Sequence, residues 1–195
     1  MAKDEMLAGF ILRMEGGFVN DPTDAGGATN MGVTLATFKE YRRRKGMPAP
    51  SIEELRHLRK EEWHDIFKTL YWDRWKGDLI YSDKVALILV DWLWGSGRHG
   101  ITIPQRMLGV SADGIVGPKT IEAVNNANPD TLFQKLCDAR ASFFREITVK
   151  SILRFEKRIG RISTPSERIH HTNQRFLKGW LRRNEELRRL GDTCQ

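Results

Sequence analysis

Three carboxylates fall close together near the start of the sequence: Glu15, then Asp21 and Asp24, six and nine residues further on. Glu15 closes a segment in which Met6, Leu7, Phe10, Ile11 and Met14 recur at three- and four-residue steps, the spacing of one helix face. At the C-terminal end of a helix the macrodipole repels a carboxylate, and Phe10, Ile11, Met14 and Phe18 are apolar neighbours in sequence. Both effects favour the protonated carboxyl. A protonated acid is what glycoside cleavage needs to donate to a leaving oxygen, together with a second carboxylate or a positioned water. Asp21 and Asp24 are near enough in sequence to return to Glu15, and Gly26, Gly27 and Gly32 would let the backbone approach a substrate. The same residues also fit a plainer reading, a frayed helix end followed by turn-initiating aspartates.

The elements that must position these groups are helical. The first segment stops at Gly16-Gly17, and the stretch to Met31 is too rich in Asn, Asp, Gly and Pro for regular structure, apart from a small hairpin within Val19–Thr34. Thr34 can cap a short helix bearing Leu35, Phe38 and Tyr41, and Ser51-Ile-Glu-Glu54 has the form of a capping box. Residues 60–75 carry Trp63, Ile66, Phe67, Leu70 and Tyr71 at helical spacing. A mostly apolar helix runs from Ser82 or Asp83 to Gly95–Gly97, and its lack of a polar stripe predicts burial on most sides. Pro118 opens a helix to about Asn126, and Pro129 opens another to about Thr148. Two basic helices follow, over 152–161 and 167–190, the second interrupted near Gly179. A soft boundary falls at residues 95–104. The fold class is therefore mainly α.

Several tryptophans also suit chemistry, because an aromatic face fits the apolar side of a sugar ring as well as it fits a core neighbour. Helical spacing assigns Trp72, Trp75 and Trp92 to the core, and leaves Trp94 and Tyr71, near helix ends, as sugar platforms. Asp91 in an apolar helix needs a partner, expected to be a hydrogen bond to the glycine-rich loop after it. Asp113 stands in the turn Asp-Gly-Ile-Val-Gly-Pro.

The chain of 195 residues is large enough to build a core without disulfides, and its net charge of +7 is uneven. From Arg145 onward 13 Lys and Arg face 6 Asp and Glu, so the first 144 residues are neutral. A basic C-terminal region suits an anionic partner: nucleic acid, an acidic membrane or a polyanionic wall. No recognised DNA-binding motif or interleaved aromatic platform accompanies the arginines, which argues against nucleic acid. Cys137 and Cys194 lack metal-ligand spacing and read as a core thiol and a loose terminal one, and neither metal nor cofactor is expected. The longest apolar run is half a membrane span, and the acidic start does not look like a secretory leader.

The stretch Glu15-Gly-Gly-Phe, then Asn20-Asp-Pro-Thr-Asp-Ala-Gly-Gly-Ala-Thr-Asn-Met-Gly-Val-Thr34, closely resembles the opening of glycoside hydrolase family 108, the N-acetylmuramidases of bacteria and phages. The similarity continues through Tyr71-Trp-Asp73 to Asp91. Residues Gln105–Thr120 and Phe176–Leu181 resemble the predicted peptidoglycan-binding domain that commonly follows. The resemblance implies a lysozyme-like catalytic domain over 1–97 and a helical peptidoglycan-binding domain over 98–195. It implies cleavage of the β-1,4 bond after N-acetylmuramic acid, with Glu15 as the catalytic acid. The second group stays open between Asp24, then Asp21, and a water-positioning Thr29 or Thr34. Thr29, Asn30, Thr34, Tyr71, Trp94 and Asp113 are the expected substrate contacts. One departure is marked: members commonly carry Asn-x-Gly after the central helix, whereas Trp94 occupies that Asn position here.

The implied partner is therefore the peptidoglycan glycan strand, with no nucleic acid and no membrane span. Without a visible leader, reaching the wall would need a separate holin-like pore, as for a phage endolysin, or a secretion system. A non-catalytic wall-binding or secretion-regulating module is the competing class of function, and lytic transglycosylase chemistry is the near neighbour.

Overall fold

The apolar stretch after Ser82 becomes the helix around which the rest is packed. In the computed structural model, which describes residues 3–20 and 27–194, it spans Asp83–Ser96, and every residue from Val85 to Leu93 is buried. In chain order the described elements are α1 (Asp4–Met14), a hairpin of β1 (Thr29–Asn30) and β2 (Val33–Thr34), α2 (Leu35–Arg44), α3 (Ile52–Arg56), α4 (Lys60–Phe67), α5 (Asp83–Ser96), α6 (His99–Met107), α7 (Pro118–Asn126), α8 (Pro129–Ile159), α9 (Pro165–His171) and α10 (Gln174–Asp192). The protein is mainly helical with one small antiparallel hairpin.

The local signals act as their chemistry dictates. The Thr34 hydroxyl accepts from Thr37 N–H at the start of α2, and Ser51 and Glu54 close a reciprocal capping box on α3. Pro118 and Pro129 sit in the first turns of α7 and α8. Trp63, Trp72, Trp75 and Trp92 are all fully buried, and the last three lie in the core as their helical spacing assigns them. Trp72 Nε1 donates to Asp78 Oδ1 at 2.7 Å and Trp75 Nε1 to the Gly100 carbonyl at 3.2 Å. Gly100 is required where α6 crosses α5: a β-carbon there would lie 2.3 Å from the Leu93 nitrogen.

Four expectations need correction. The 60–75 helix changes character after Phe67, where Lys68–Trp72 forms a π-helical turn. The helix from Pro129 does not stop near Thr148 but continues unbroken to Ile159, since nothing between them breaks the backbone ladder, and Gly160, at φ 70°, ends it. Gly179 does not interrupt the last helix; the break lies at Thr172-Asn173, where the Asn173 N–H turns to the Ser151 hydroxyl. Cys194 is not a loose end, because its thiol is buried 3.6 Å from the Met6 sulfur.

The sequence boundary near residue 97 is not a gap in the packing. α5 is held by α6, α8 and α10, all of which follow that boundary. No helix of the described residues is long and apolar enough to cross a membrane.

Candidate active site

Glu15 is the first residue past α1. Its backbone is extended (φ −89°, ψ 147°) although its N–H still bonds the Ile11 carbonyl, so the side chain leaves the helix axis and turns toward α5. Behind it the chain runs out to Val19, which exchanges two 2.8 Å hydrogen bonds with Thr29. The β1–β2 hairpin then turns on Met31 (φ 48°) and Gly32 (φ 76°), a two-residue turn with both central residues in the left-handed region. Trp63 Nε1 pins the turn by donating to the Met31 carbonyl at 2.9 Å, and the Met31 N–H donates to the Gly16 carbonyl.

This turn presses on the carboxyl of Glu15. A β-carbon on Gly32 would stand 2.7 Å from the Glu15 carboxyl carbon and 2.8 Å from Oε2. Only glycine fits both the backbone angle and the space.

Two donors converge on the other carboxylate oxygen. Trp94 Nε1 donates to Glu15 Oε1 at 2.9 Å, and Arg183 Nη1 donates to the same atom at 2.6 Å. None of the described residues donates to Oε2. Arg183 reaches in from α10 and spends the rest of its guanidinium on Asp91: Nη2 to Oδ1 at 2.7 Å and Nε to Oδ2 at 3.3 Å. Arg140 of α8 closes on Asp91 Oδ2 at 2.7 Å from the other side.

The electrostatics follow from this geometry. Asp91 is fully buried, and burial alone would favour its neutral form. The guanidiniums of Arg140 and Arg183 outweigh burial and hold its carboxyl below the usual carboxylate range. Burial works against the charge on Arg183, yet Asp91 and Glu15 together hold its pKa above the ordinary arginine value. Asp91 therefore takes a pair of cations, not the hydrogen bond to the glycine-rich loop expected of it. A fully buried carboxylate in an apolar environment needs charge compensation that loop N–H groups alone rarely supply.

Trp94 fills the position where the resemblance leads one to expect Asn, and it supplies a polar contact all the same, an indole N–H on the carboxylate. Its ring is held by Trp63 at 5.7 Å, Phe67 at 6.1 Å and Tyr71 at 4.6 Å between centroids. Trp94 and Tyr71 are half-buried, unlike the core tryptophans. The Tyr71 hydroxyl is held above its ordinary pKa chiefly by burial, against the opposing influence of Thr37 and Arg74, so it is a donor at neutral pH. A cavity of about 340 Å³ opens beside Tyr71, between Thr37, Glu40 and Arg44 on one side and Arg74 and Gly97 on the other.

The remaining expected site residues divide. Asp21 and Asp24 lie outside the described residues. Thr29 is half-buried on the hairpin beside Glu15, with its hydroxyl 3.4 Å from the Gly27 carbonyl. Thr34 is spent as the α2 cap, and its hydroxyl also meets that of Thr37 at 2.9 Å. Asn30 turns inward: its amide donates to the Leu55 and Arg56 carbonyls, so it fastens the hairpin to α3. Asp113 belongs to another cluster, in the turn between α6 and α7. Its carboxylate accepts from Ile115 N–H and Gln105, which hold it below the usual carboxylate range, and buried Gln105 also accepts from Gly114 N–H. The turn is thus built by its own hydrogen bonds.

Sequence reasoning missed Arg183, Arg140 and the bracing role of Trp63. The one signal for the arginines was Asp91, a carboxylate in an apolar helix. No group of His, Cys, Asp and Glu able to hold a metal occurs among the described residues.

Comparison with known proteins bears on both halves. The family model described as Glycosyl hydrolase 108 matches residues 8–97, and the one described as Predicted Peptidoglycan domain matches residues 99–185. Among solved structures, that of Brucella abortus SagA is similar at 30% identity and a TM-score of 0.68, over 93% of this chain and 88% of that one. The search of curated proteins gave no match.

Proposed function

The chain belongs to glycosyl hydrolase family 108, with a peptidoglycan-binding domain behind the hydrolase region, and on that premise we propose that it is an N-acetylmuramidase with Glu15 as general acid. The observation that carries this reading is the asymmetry of the Glu15 carboxyl. Oε1 accepts from both Trp94 and Arg183, while Oε2 receives nothing from the described residues and faces the hairpin turn.

In this reading Oε2 is the oxygen from which a proton passes to the glycosidic oxygen as the bond to the leaving sugar breaks. The charge then left on the carboxylate falls on the two donors already directed at Oε1, so no group has to reorganise as it develops. Gly32 lets the hairpin backbone approach the carboxyl, and Tyr71 with Trp94 offers the aromatic wall of a sugar subsite. Asp24 is our first choice for the second group, with Asp21 next, and Thr29 is the alternative as a water-positioning hydroxyl. Thr34 and Asn30 act on structure in this scheme. Residues 1–97 carry the chemistry and 98–195 the wall binding, except that Arg183 crosses from the second part to the acid of the first.

Reducing-end release from purified peptidoglycan tests the reading. Hydrolysis predicts new reducing ends at muramic acid, and the anomer formed first separates a retaining from an inverting course. Anhydromuramyl products instead would identify a lytic transglycosylase, and binding without cleavage a non-catalytic module.

A further inference from the structure

The basic surplus at the C-terminus is not spread evenly over solvated helix faces. Of the 13 Lys and Arg from Arg145 onward, seven have a carboxylate partner within salt-bridge distance, among them Arg161 with Glu167, Arg168 with Glu156 and Arg183 with Glu15. The other six have none among the described residues. Three of those six, Arg154, Arg158 and Arg175, line one cavity of about 530 Å³ where the far end of α8 meets α9 and the start of α10. His170 and His171 add ring nitrogens, and no carboxylate contributes to the lining.

The three arginines are exposed, and their placement carries a small cost without a ligand. Arg154 and Arg158 stand one turn apart on α8, an arrangement of like charges that destabilises a helix. Two hydrogen bonds tie the cavity lining together: the Asn173 N–H donates to the Ser151 hydroxyl at 2.9 Å, and the Thr172 hydroxyl donates to the Arg168 carbonyl at 2.6 Å. The arginines are also set out on aromatic faces. Arg158 lies over Phe155 at 5.1 Å and Arg175 over Phe176 at 4.4 Å, while His171 stacks on Phe155 at 5.1 Å. Phe176 is 44% exposed at the rim. Three guanidinium forks match the several acceptor oxygens and the charge of a phosphate better than the single charge of a carboxylate. The exposed ring beside them suits the apolar face of a sugar.

We propose that this cavity is a second ligand site, separate from Glu15, that binds a sugar phosphate, with the phosphate on Arg154, Arg158 and Arg175 and the sugar against Phe176. The wall as the source of that sugar phosphate rests on the peptidoglycan reading above; the chemistry of the cavity does not.

The test uses the full chain and glucosamine 6-phosphate, with unphosphorylated glucosamine as its control, titrated by calorimetry. Two variants are compared with the wild type: Arg154→Gln/Arg158→Gln/Arg175→Gln in the cavity, and Arg145→Gln/Lys157→Gln/Lys178→Gln, which removes equal charge elsewhere. The cavity variant should bind the phosphate sugar at least about tenfold more weakly, the scale of one charge-assisted hydrogen bond, and the second variant within about twofold of wild type. The cavity variant should also melt no lower than wild type without ligand, because a repulsion is removed. Equal losses in both variants, or equal affinity for glucosamine and its phosphate, overturn the proposal. Retention on native but not phosphate-stripped sacculi identifies a wall polymer as the source, and retention on lipopolysaccharide alone identifies a phosphorylated glycolipid. Cavity-dependent binding to duplex DNA that exceeds both overturns it. Glu15→Gln should bind as wild type does, so a failure of the catalytic assignment leaves this measurement intact.

Discussion

Arg183 donates to Glu15 at 2.6 Å across 168 positions of sequence, so the last helix of the protein completes the surroundings of the acid near its start. The same guanidinium holds buried Asp91 with its other nitrogens, which ties the site to the central helix. A rigid fork shared between two carboxylates fixes the direction of both.

Replacing Arg183 therefore has two separable effects. Arg183→Met removes one of the two cations on Asp91 and should cost about 2–4 kcal/mol in urea unfolding, somewhat below the usual penalty for breaking a fully buried pair because Arg183 keeps some exposure. It should also lower kcat more than it raises KM. Arg183→Lys keeps the charge but cannot span both carboxylates, so stability should recover more fully than kcat. Equal recovery of the two would reduce Arg183 to a structural role.

Trp94→Phe retains a ring against Trp63, Phe67 and Tyr71 and deletes only the N–H on Glu15 Oε1. The expected result is a fall in kcat of about five- to tenfold, the scale of one hydrogen bond, with a change in stability below about 1 kcal/mol. An unchanged kcat would show that Arg183 alone suffices.

Gly32→Ala meets both the left-handed backbone angle and the Glu15 carboxyl. The backbone should cost about 1–2 kcal/mol. Displacing the acid by about 1 Å should cost on the order of 10²-fold in activity. Thermal unfolding and reducing-end release read the two effects separately.

What the sequence made legible was local. Thr34, Ser51 and Glu54, Pro118 and Pro129 announce their helices because a cap acts within four residues, and Glu15 stands out through the motif beside it. The partners of Glu15 were not legible, because Arg183 lies in a helix whose arginine-rich face looks like any solvated one, and nothing local separates the one that turns inward. Asp91 held the missing information: a carboxylate inside an apolar helix demands a cation, but not which one. Trp94 misled in the opposite direction, since the loss of an expected Asn looked like the loss of a polar contact, and an indole N–H provides one.

The Asp91 cluster should also contribute to the acid limb of stability. Its folded pKa lies below the unfolded value, so its contribution is present in full above about pH 4 and is lost as pH falls through the folded value. Urea midpoints taken down the acid range should drop steeply below about pH 4 in the wild type. Asp91→Asn should begin about 3–5 kcal/mol lower and lose less on acidification. Parallel slopes would mean that other carboxylates govern acid unfolding.

The role of Glu15 is tested most directly by digesting purified peptidoglycan with the wild type beside Glu15→Gln, followed by reducing-end release and mass spectrometry of the products. The substitution keeps the shape and the acceptor for Trp94 and Arg183 but removes the proton to be given. Muramic acid reducing ends are expected from the wild type, and at least a ~10²-fold lower rate from Glu15→Gln, with sacculus binding retained. Cleavage by Glu15→Gln at the wild-type rate would contradict that role.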